Sequence, residues 1–235
     1  MIDAHCHIAR NPADRHFLCD PRTAGGEGDR DVVFFGHHPW EFLASASGPG
    51  PDLATLLAAL DARLAANPRA GVGEIGLDRL KERDISPRMR AAFEGQLRLA
   101  VRHRRPVVLH GAKCWGDVVQ TIGRVDRDRV IPALLFHGFS RAGGLLPNIV
   151  RLNGFVSVGP ALLNDHAVNY RELVRAIPED RLLVESDATA DTADSLPPLA
   201  AVVAKLAGLR GLSLAACTAL LEANARRFLP HGDGC

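Results

Sequence analysis

Short apolar runs recur along the chain, and most of them stop at a polar residue. Val32-Val33-Phe34-Phe35-Gly36 leads into His37, Ala70 to Gly73 into Glu74, Pro106-Val107-Val108-Leu109 into His110, and Ala133-Leu134-Leu135-Phe136 into His137. Gly154-Phe155-Val156-Ser157-Val158 stops at Gly159, and Leu182-Leu183-Val184 at Glu185-Ser186-Asp187. Runs this short, without polar alternation, predict strands buried on both faces, as in a parallel sheet. Between them the apolar residues return every three or four positions. Leu53, Leu56, Leu57, Leu60 and Leu64 mark one helix face within 51–67. Met89, Phe93, Leu97 and Val101 mark another, opened by Ser86-Pro87 as N-cap and first-turn proline. Further helices are predicted near 115–124, 141–152, 166–176, 197–207 and 213–228. Strand and helix in alternation predict an α/β protein with a parallel sheet.

Ile2 to His5 as a first strand and His16-Phe17-Leu18-Cys19 as a second bring the count to about eight. That number favours a closed (β/α)8 TIM barrel over an open doubly wound sheet, and no GxGxxG follows any of the runs. Residues 8–31 show no period, and Ala24-Gly25-Gly26-Glu27-Gly28-Asp29 reads as a polar loop. With no repeat and no boundary in composition, residues 1–235 form one predicted domain, and 47% hydrophobic content suffices for one large core.

A formal net charge of +1 gives no bulk attraction for nucleic acid or membrane, although a local basic patch remains compatible with it. Of the 28 basic residues only Lys81, Lys113 and Lys205 are lysine. The arginine excess suits bidentate phosphate contacts, and a GC-rich codon bias produces the same composition. The five cysteines are odd in number and contain no CxxC, which points to a reduced cytoplasmic setting rather than a disulfide framework or a zinc ribbon. No apolar run approaches the ~20 residues of a membrane span, and no leader precedes the first motif, so a soluble protein is expected.

The chain opens with Met-Ile-Asp-Ala-His5-Cys6-His7. Side chains at i and i+2 of a strand share a face, so His5 and His7 can grip one divalent ion while Cys6 turns into packing. Taken alone, the pair reads equally as two solvated histidines. The remaining runs change that, because Glu74, His110, His137 and Asp187 each follow a strand. In a parallel barrel every strand ends at the same rim, where such enzymes place their sites. These residues therefore converge without further assumption, as a site for divalent metal. No GxSxG elbow supports a serine hydrolase. Trp40, in the turn His37-His38-Pro39-Trp40, either walls the pocket or packs. Asp78 either orients neighbouring groups or caps a following helix.

Six blocks resemble the TatD-like metal-dependent hydrolases, a branch of the amidohydrolase superfamily. They are Asp3-Ala4-His5-Cys6-His7, Gly36-His37-His38-Pro39-Trp40, Gly73-Glu74-Ile75-Gly76-Leu77-Asp78, Leu109-His110, Phe136-His137-Gly138-Phe139-Ser140 and Glu185-Ser186-Asp187. The resemblance runs from Met1 to Asn224-Ala225-Arg226-Arg227-Phe228. It implies a barrel with two divalent ions (Zn, Mn, Mg, Fe or Ni) and deoxyribonuclease-like phosphodiester hydrolysis by an activated water. By the same likeness His5 and His7 would hold the first ion, Glu74 would bridge, and His110 and His137 would hold the second. Asp187 would hold the first ion and take the water's proton.

Two departures bear on the substrate. The family's serine-arginine pair after the fifth-strand histidine is here Gly111-Ala112-Lys113, so Lys113 replaces a directional clamp by a point charge. The block Glu185-Ser186-Asp187-Ala188-Thr189 lacks the usual following proline. The expected substrate is a DNA end or a small phosphodiester, met by Lys113, Arg79 and Arg141. An amide, ester or lactone hydrolase and a non-catalytic barrel scaffold are the alternatives.

Overall fold

The computed structural model describes residues 1–19, 31–43, 52–140 and 143–229. Eight strands form one sheet in chain order: β1 (Ile2–Cys6), β2 (Arg15–Cys19), β3 (Val32–Phe35), β4 (Gly71–Asp78), β5 (Val107–Ala112), β6 (Leu134–Phe136), β7 (Gly154–Val158) and β8 (Leu182–Val184). Every neighbouring pair is parallel. Just past β8 the chain returns to β1: the Asp187 amide donates to the His5 carbonyl (3.0 Å) and the His7 amide to the Ala188 carbonyl (2.8 Å). These bonds close the barrel at the rim that carries the candidate residues.

Among the described residues seven α-helices cover the outside: α1 (Leu53–Ala66), α2 (Pro87–His103), α3 (Trp115–Val125), α4 (Leu146–Arg151), α5 (Val168–Ala176), α6 (Leu199–Arg210) and α7 (Leu214–Phe228). Local chemistry sets several starts. Asp52 accepts from the Thr55 amide at α1, Ser86 from the Met89 amide at α2, and Ser213 from the Ala216 amide at α7. No helix separates β1 from β2. The helix expected over 141–152 is shorter than its sequence pattern, because Gly143–Leu145 form a 3-10 turn and regular α-helix begins only at Leu146. None of the helices described is by itself long and apolar enough to cross a membrane.

The core has two main compartments. Val72, Ile75, Leu97, Val118 and Val202 belong to the larger, where strands meet helices. Phe17, Phe34, Val108, Leu135, Phe155 and Leu183 belong to the second, with Phe228 of α7 against them. Phe228 stacks on Phe17 (5.6 Å between ring centroids) and Phe34 (6.1 Å), and its edge meets Phe155 (5.7 Å). Burying apolar area of this kind, at about 25 cal/mol per Å², makes the scaffold that holds the rim rigid.

Two strands run further than their apolar patterns suggest. Glu74 and His110 do not end their strands: β4 continues to Asp78 and β5 to Ala112. Gly76 is the reason the two can stay paired there, with Gly76 opposite His110. A Cβ at Gly76 would lie 2.0 Å from the His110 carbonyl oxygen, so only glycine allows this approach.

Candidate metal centre

Glu74 is buried at the middle of the rim, and its two carboxylate oxygens face two different sets of side chains. Oε2 lies 3.5 Å from His5 Nε2 and 3.3 Å from His7 Nε2. Asp187 Oδ1 completes that set, 3.3 Å from His5 Nε2 and 4.0 Å from His7 Nε2. Oε1 lies 2.7 Å from His110 Nδ1, 2.6 Å from His137 Nε2 and 3.5 Å from His38 Nε2. All six ligand candidates read from the sequence thus meet around one carboxylate.

A cation with ligand bonds of 2.0–2.1 Å holds tetrahedral donors about 3.3 Å apart. The His5–Glu74, His7–Glu74 and His5–Asp187 separations, 3.3–3.5 Å, are near that value, and His7–Asp187 is wider at 4.0 Å. Overlapping groups of donors close enough for one ion are His5–His7–Asp187, His5–Glu74–His137 and His38–Glu74–His110. The donor types, imidazole nitrogen and carboxylate oxygen, suit Zn, Mn, Fe or Ni. His5 gives an independent test of fit: the ring is fully buried and neither nitrogen has a hydrogen-bond partner. A buried polar atom left unpaired is costly, and a cation at Nε2 removes that cost.

The electrostatics follow from burial around one anion. Burial, with the charge on neighbouring His137, lowers His5 to about 4, so its lone pair stays available. For Glu74 burial acts upward, but His137 and His5, with hydrogen bonds from His110 and His137, outweigh it and hold the carboxyl well below its usual range. Burial would lower His137, yet the Glu74 charge and hydrogen bond raise it to about 10. His7 and His110 are raised against burial by bonds to the same carboxylate, and for His110 also to Asp78.

Residues around the centre fix its orientation. Asp78 Oδ2 accepts from Trp40 Nε1 (2.7 Å) and lies 3.0 Å from His110 Nε2, while Oδ1 accepts from the Leu80 and Lys81 amides. Asp78 is therefore an orienting group. Ser86, not Asp78, caps the helix that follows. Asp3 accepts from the amide (2.8 Å) and hydroxyl (2.6 Å) of Ser186, which anchors the turn carrying Asp187. Asp187 itself has a left-handed backbone, φ 53°, costing about 1–2 kcal/mol for a residue with a Cβ. Glu185 is buried behind His137, with Oε2 3.8 Å from His137 Nδ1, and accepts from the Gly138 amide (2.8 Å) and the Ser157 hydroxyl. Burial pushes Glu185 up to about 7.

Sequence reasoning gave no role to His38 or Glu185. His38 was legible only as part of a turn, because its reach across to Glu74 depends on how β3 and β4 sit side by side. His37 turns aside, its amide donating to Gln96 and Nδ1 lying 3.1 Å from Glu41. Cys6 is fully buried, as alternation predicts.

The expected substrate contacts divide. Lys113 and Arg79 line a cavity of about 870 Å³ that reaches His110 and His137. Lys113 is exposed with φ 56°, and Arg79 lies 3.5 Å from Asp117. Arg141 lies outside the described residues. On the other side of the centre a cavity of about 1300 Å³ borders Asp187, Glu185, Tyr170, His166 and Asn164.

The sequence was compared with known families and proteins. The family model described as TatD related DNase matches residues 21–230. The uncharacterized metal-dependent hydrolase YabD of Bacillus subtilis is 28% identical over 116 residues, 49% of this chain and 45% of that protein. The chain thus spans about half the length of the curated relatives it first matches. The 3'-5' ssDNA/RNA exonuclease TatD of Dickeya dadantii is 27% identical over 211 residues, 84% of this chain and 76% of that protein. Among solved structures, the YjjV TatD homologue of Escherichia coli K12 superposes with a TM-score of 0.80 over 97% of both chains at 22% identity, which shows the shared barrel.

Proposed function

The chain belongs to the TatD related DNase family, and from that premise we propose that it is a divalent-metal-dependent hydrolase of phosphodiester bonds, acting on the ends of single-stranded nucleic acid. The observation that carries this reading is the division of Glu74: one oxygen faces His5 and His7, which Asp187 also approaches, and the other faces His110, His137 and His38. A single carboxylate shared by two donor sets is what two close cations need, because its charge offsets their repulsion.

His5, His7, Glu74 and Asp187 would hold one ion, and Glu74, His110 and His137 the other. Divalent ions held there would supply Lewis-acid polarisation of a phosphoryl oxygen and a more acidic water as nucleophile. The protein's own groups do the rest. Asp187, half-exposed at the mouth and held below its ordinary pKa against burial by His5, is the carboxylate positioned to take a proton. Lys113 and Arg79 supply positive charge along the cavity beside His110, where a phosphate chain would lie. The Dickeya relative is named an exonuclease on single-stranded DNA and RNA, and a pocketed rim suits an end better than a long duplex. The buried thiols of Cys6, Cys114 and Cys217 are in keeping with a reducing, cytoplasmic setting.

The test is hydrolysis of 5'-labelled single-stranded DNA, RNA and duplex DNA with Mn, Mg or Zn supplied, next to p-nitrophenyl ester and lactone panels. Asp187→Asn is the control, since asparagine tolerates the left-handed backbone. Stepwise shortening of single strands, lost by about 100-fold or more in Asp187→Asn, is expected. Turnover confined to esters or lactones would move the reading to carbon–oxygen chemistry, and metal binding with no turnover would favour a scaffold.

A further inference from the structure

Trp40 is an exposed aromatic at the rim, 46% accessible, whereas the chain's other tryptophan, Trp115, is buried. It is held rather than loose. Its indole N–H is tied to Asp78, its ring centroid lies 4.7 Å from that of His38 and 6.4 Å from that of His110, and Lys81 Nζ sits 4.5 Å over it. Leu80, 58% accessible, lies in the adjoining β4–α2 connection, beside Arg79 in the cavity wall. A rigidly held aromatic face half in solvent beside the centre, with exposed Leu80 next to it, leaves a flat apolar surface open to a ligand. One imidazole, His38, lies between the ring and Glu74; Lys81 sits over the ring, and Arg79 and Lys113 line the cavity that His110 borders.

We propose that Trp40 is the stacking platform for a nucleobase beside the phosphodiester that is cut, with Lys81 as the adjacent cation for the strand. This deepens the nuclease reading and rests on it. An aromatic face beside a basic track is how single strands are held without sequence preference, since every base has a π-face. A ring already engaged by an ammonium can accept a base in its place, releasing the ammonium to a phosphate. The oriented indole makes this favourable, because its rotamer is fixed before the strand arrives.

The test uses two fluorescein-labelled phosphorothioate oligonucleotides of equal length, oligo-dT and its abasic counterpart, with the full-length protein in buffer containing Mn²⁺. Anisotropy gives affinity, and the part of the intrinsic-fluorescence change that is lost in Trp40→Ala reports Trp40, Trp115 supplying the background emission. Wild type is expected to prefer oligo-dT and to be quenched by it. Trp40→Ala should weaken oligo-dT binding by about 5- to 150-fold and leave abasic binding unchanged. Trp40→Phe should restore most of the preference, although it lacks the N–H that Asp78 accepts. Equal losses on both oligonucleotides in Ala and Phe variants would mean that Trp40 merely supports Asp78, and would overturn the inference while leaving the nuclease reading intact. No binding of either oligonucleotide by wild type would overturn both.

Discussion

Asp78→Asn changes one atom and should disable half of the metal centre. Asp78 accepts four N–H donors, two on each oxygen: the Leu80 and Lys81 amides on Oδ1, Trp40 and His110 on Oδ2. Asparagine has one acceptor oxygen, so two donors must face its NH2. The rigid backbone amides keep the oxygen, and Trp40, being half-exposed, can turn its N–H to water. His110 then has to accept at Nε2, which moves its own proton to Nδ1, the nitrogen 2.7 Å from Glu74. A protonated nitrogen cannot ligate. To bind a cation, His110 must give up the asparagine contact, worth about 0.5–1.5 kcal/mol between neutral groups, and it lacks the carboxylate that raised its basicity. On the proposed two-ion reading, affinity for a cation on that side should therefore fall about 10- to 100-fold, and affinity for one at His5, His7 and Asp187 should not change. Calorimetric titration with Mn²⁺ measures both, and nitrogen-15 NMR of the imidazoles reads the tautomer directly. If both affinities stay within about twofold of wild type and the proton stays on Nε2, then Asp78 does not set the tautomer.

Glu74→Gln removes the charge that both donor sets share, so metal content should fall for both ions, by more than about tenfold in affinity, as seen by elemental analysis after dialysis. His137 is held up to about 10 by Glu74, so at pH 7 a cation must displace its proton. Affinity should rise with pH between 6 and 9, with proton release detectable by calorimetry in buffers of different ionisation enthalpy. Phe228→Ala empties the stack against Phe17, Phe34 and Phe155 and should cost about 3–5 kcal/mol in urea unfolding, with metal affinity unchanged. Burial pushes the Cys114 thiol up to about 12, and its sulfur donates to the Leu77 carbonyl. The native thiol should ignore Ellman's reagent at pH 8 and react on unfolding. Because the folded value is the higher one, this contribution to stability is present below about pH 9 and is lost as pH rises through 12.

What the sequence determined by itself was the framework and the residue types that gather at its rim. Unbroken apolar runs alternating with helical stripes specify a parallel barrel, since both faces of such strands must be covered. Because all strands of a barrel end at one rim, the residues that follow those runs had to meet there, and His5, His7, Glu74, His110, His137 and Asp187 do. Only the tertiary structure decided how they meet. That each oxygen of Glu74 faces its own set follows from the extension of β4 and β5 past their apolar runs and their close approach at Gly76, which no local pattern encodes. The roles of His38, Asp78 and Glu185 likewise depend on neighbours up to 72 positions away along the chain. Periodicity reports which face a residue takes, and it carries no information about which distant atom lies opposite.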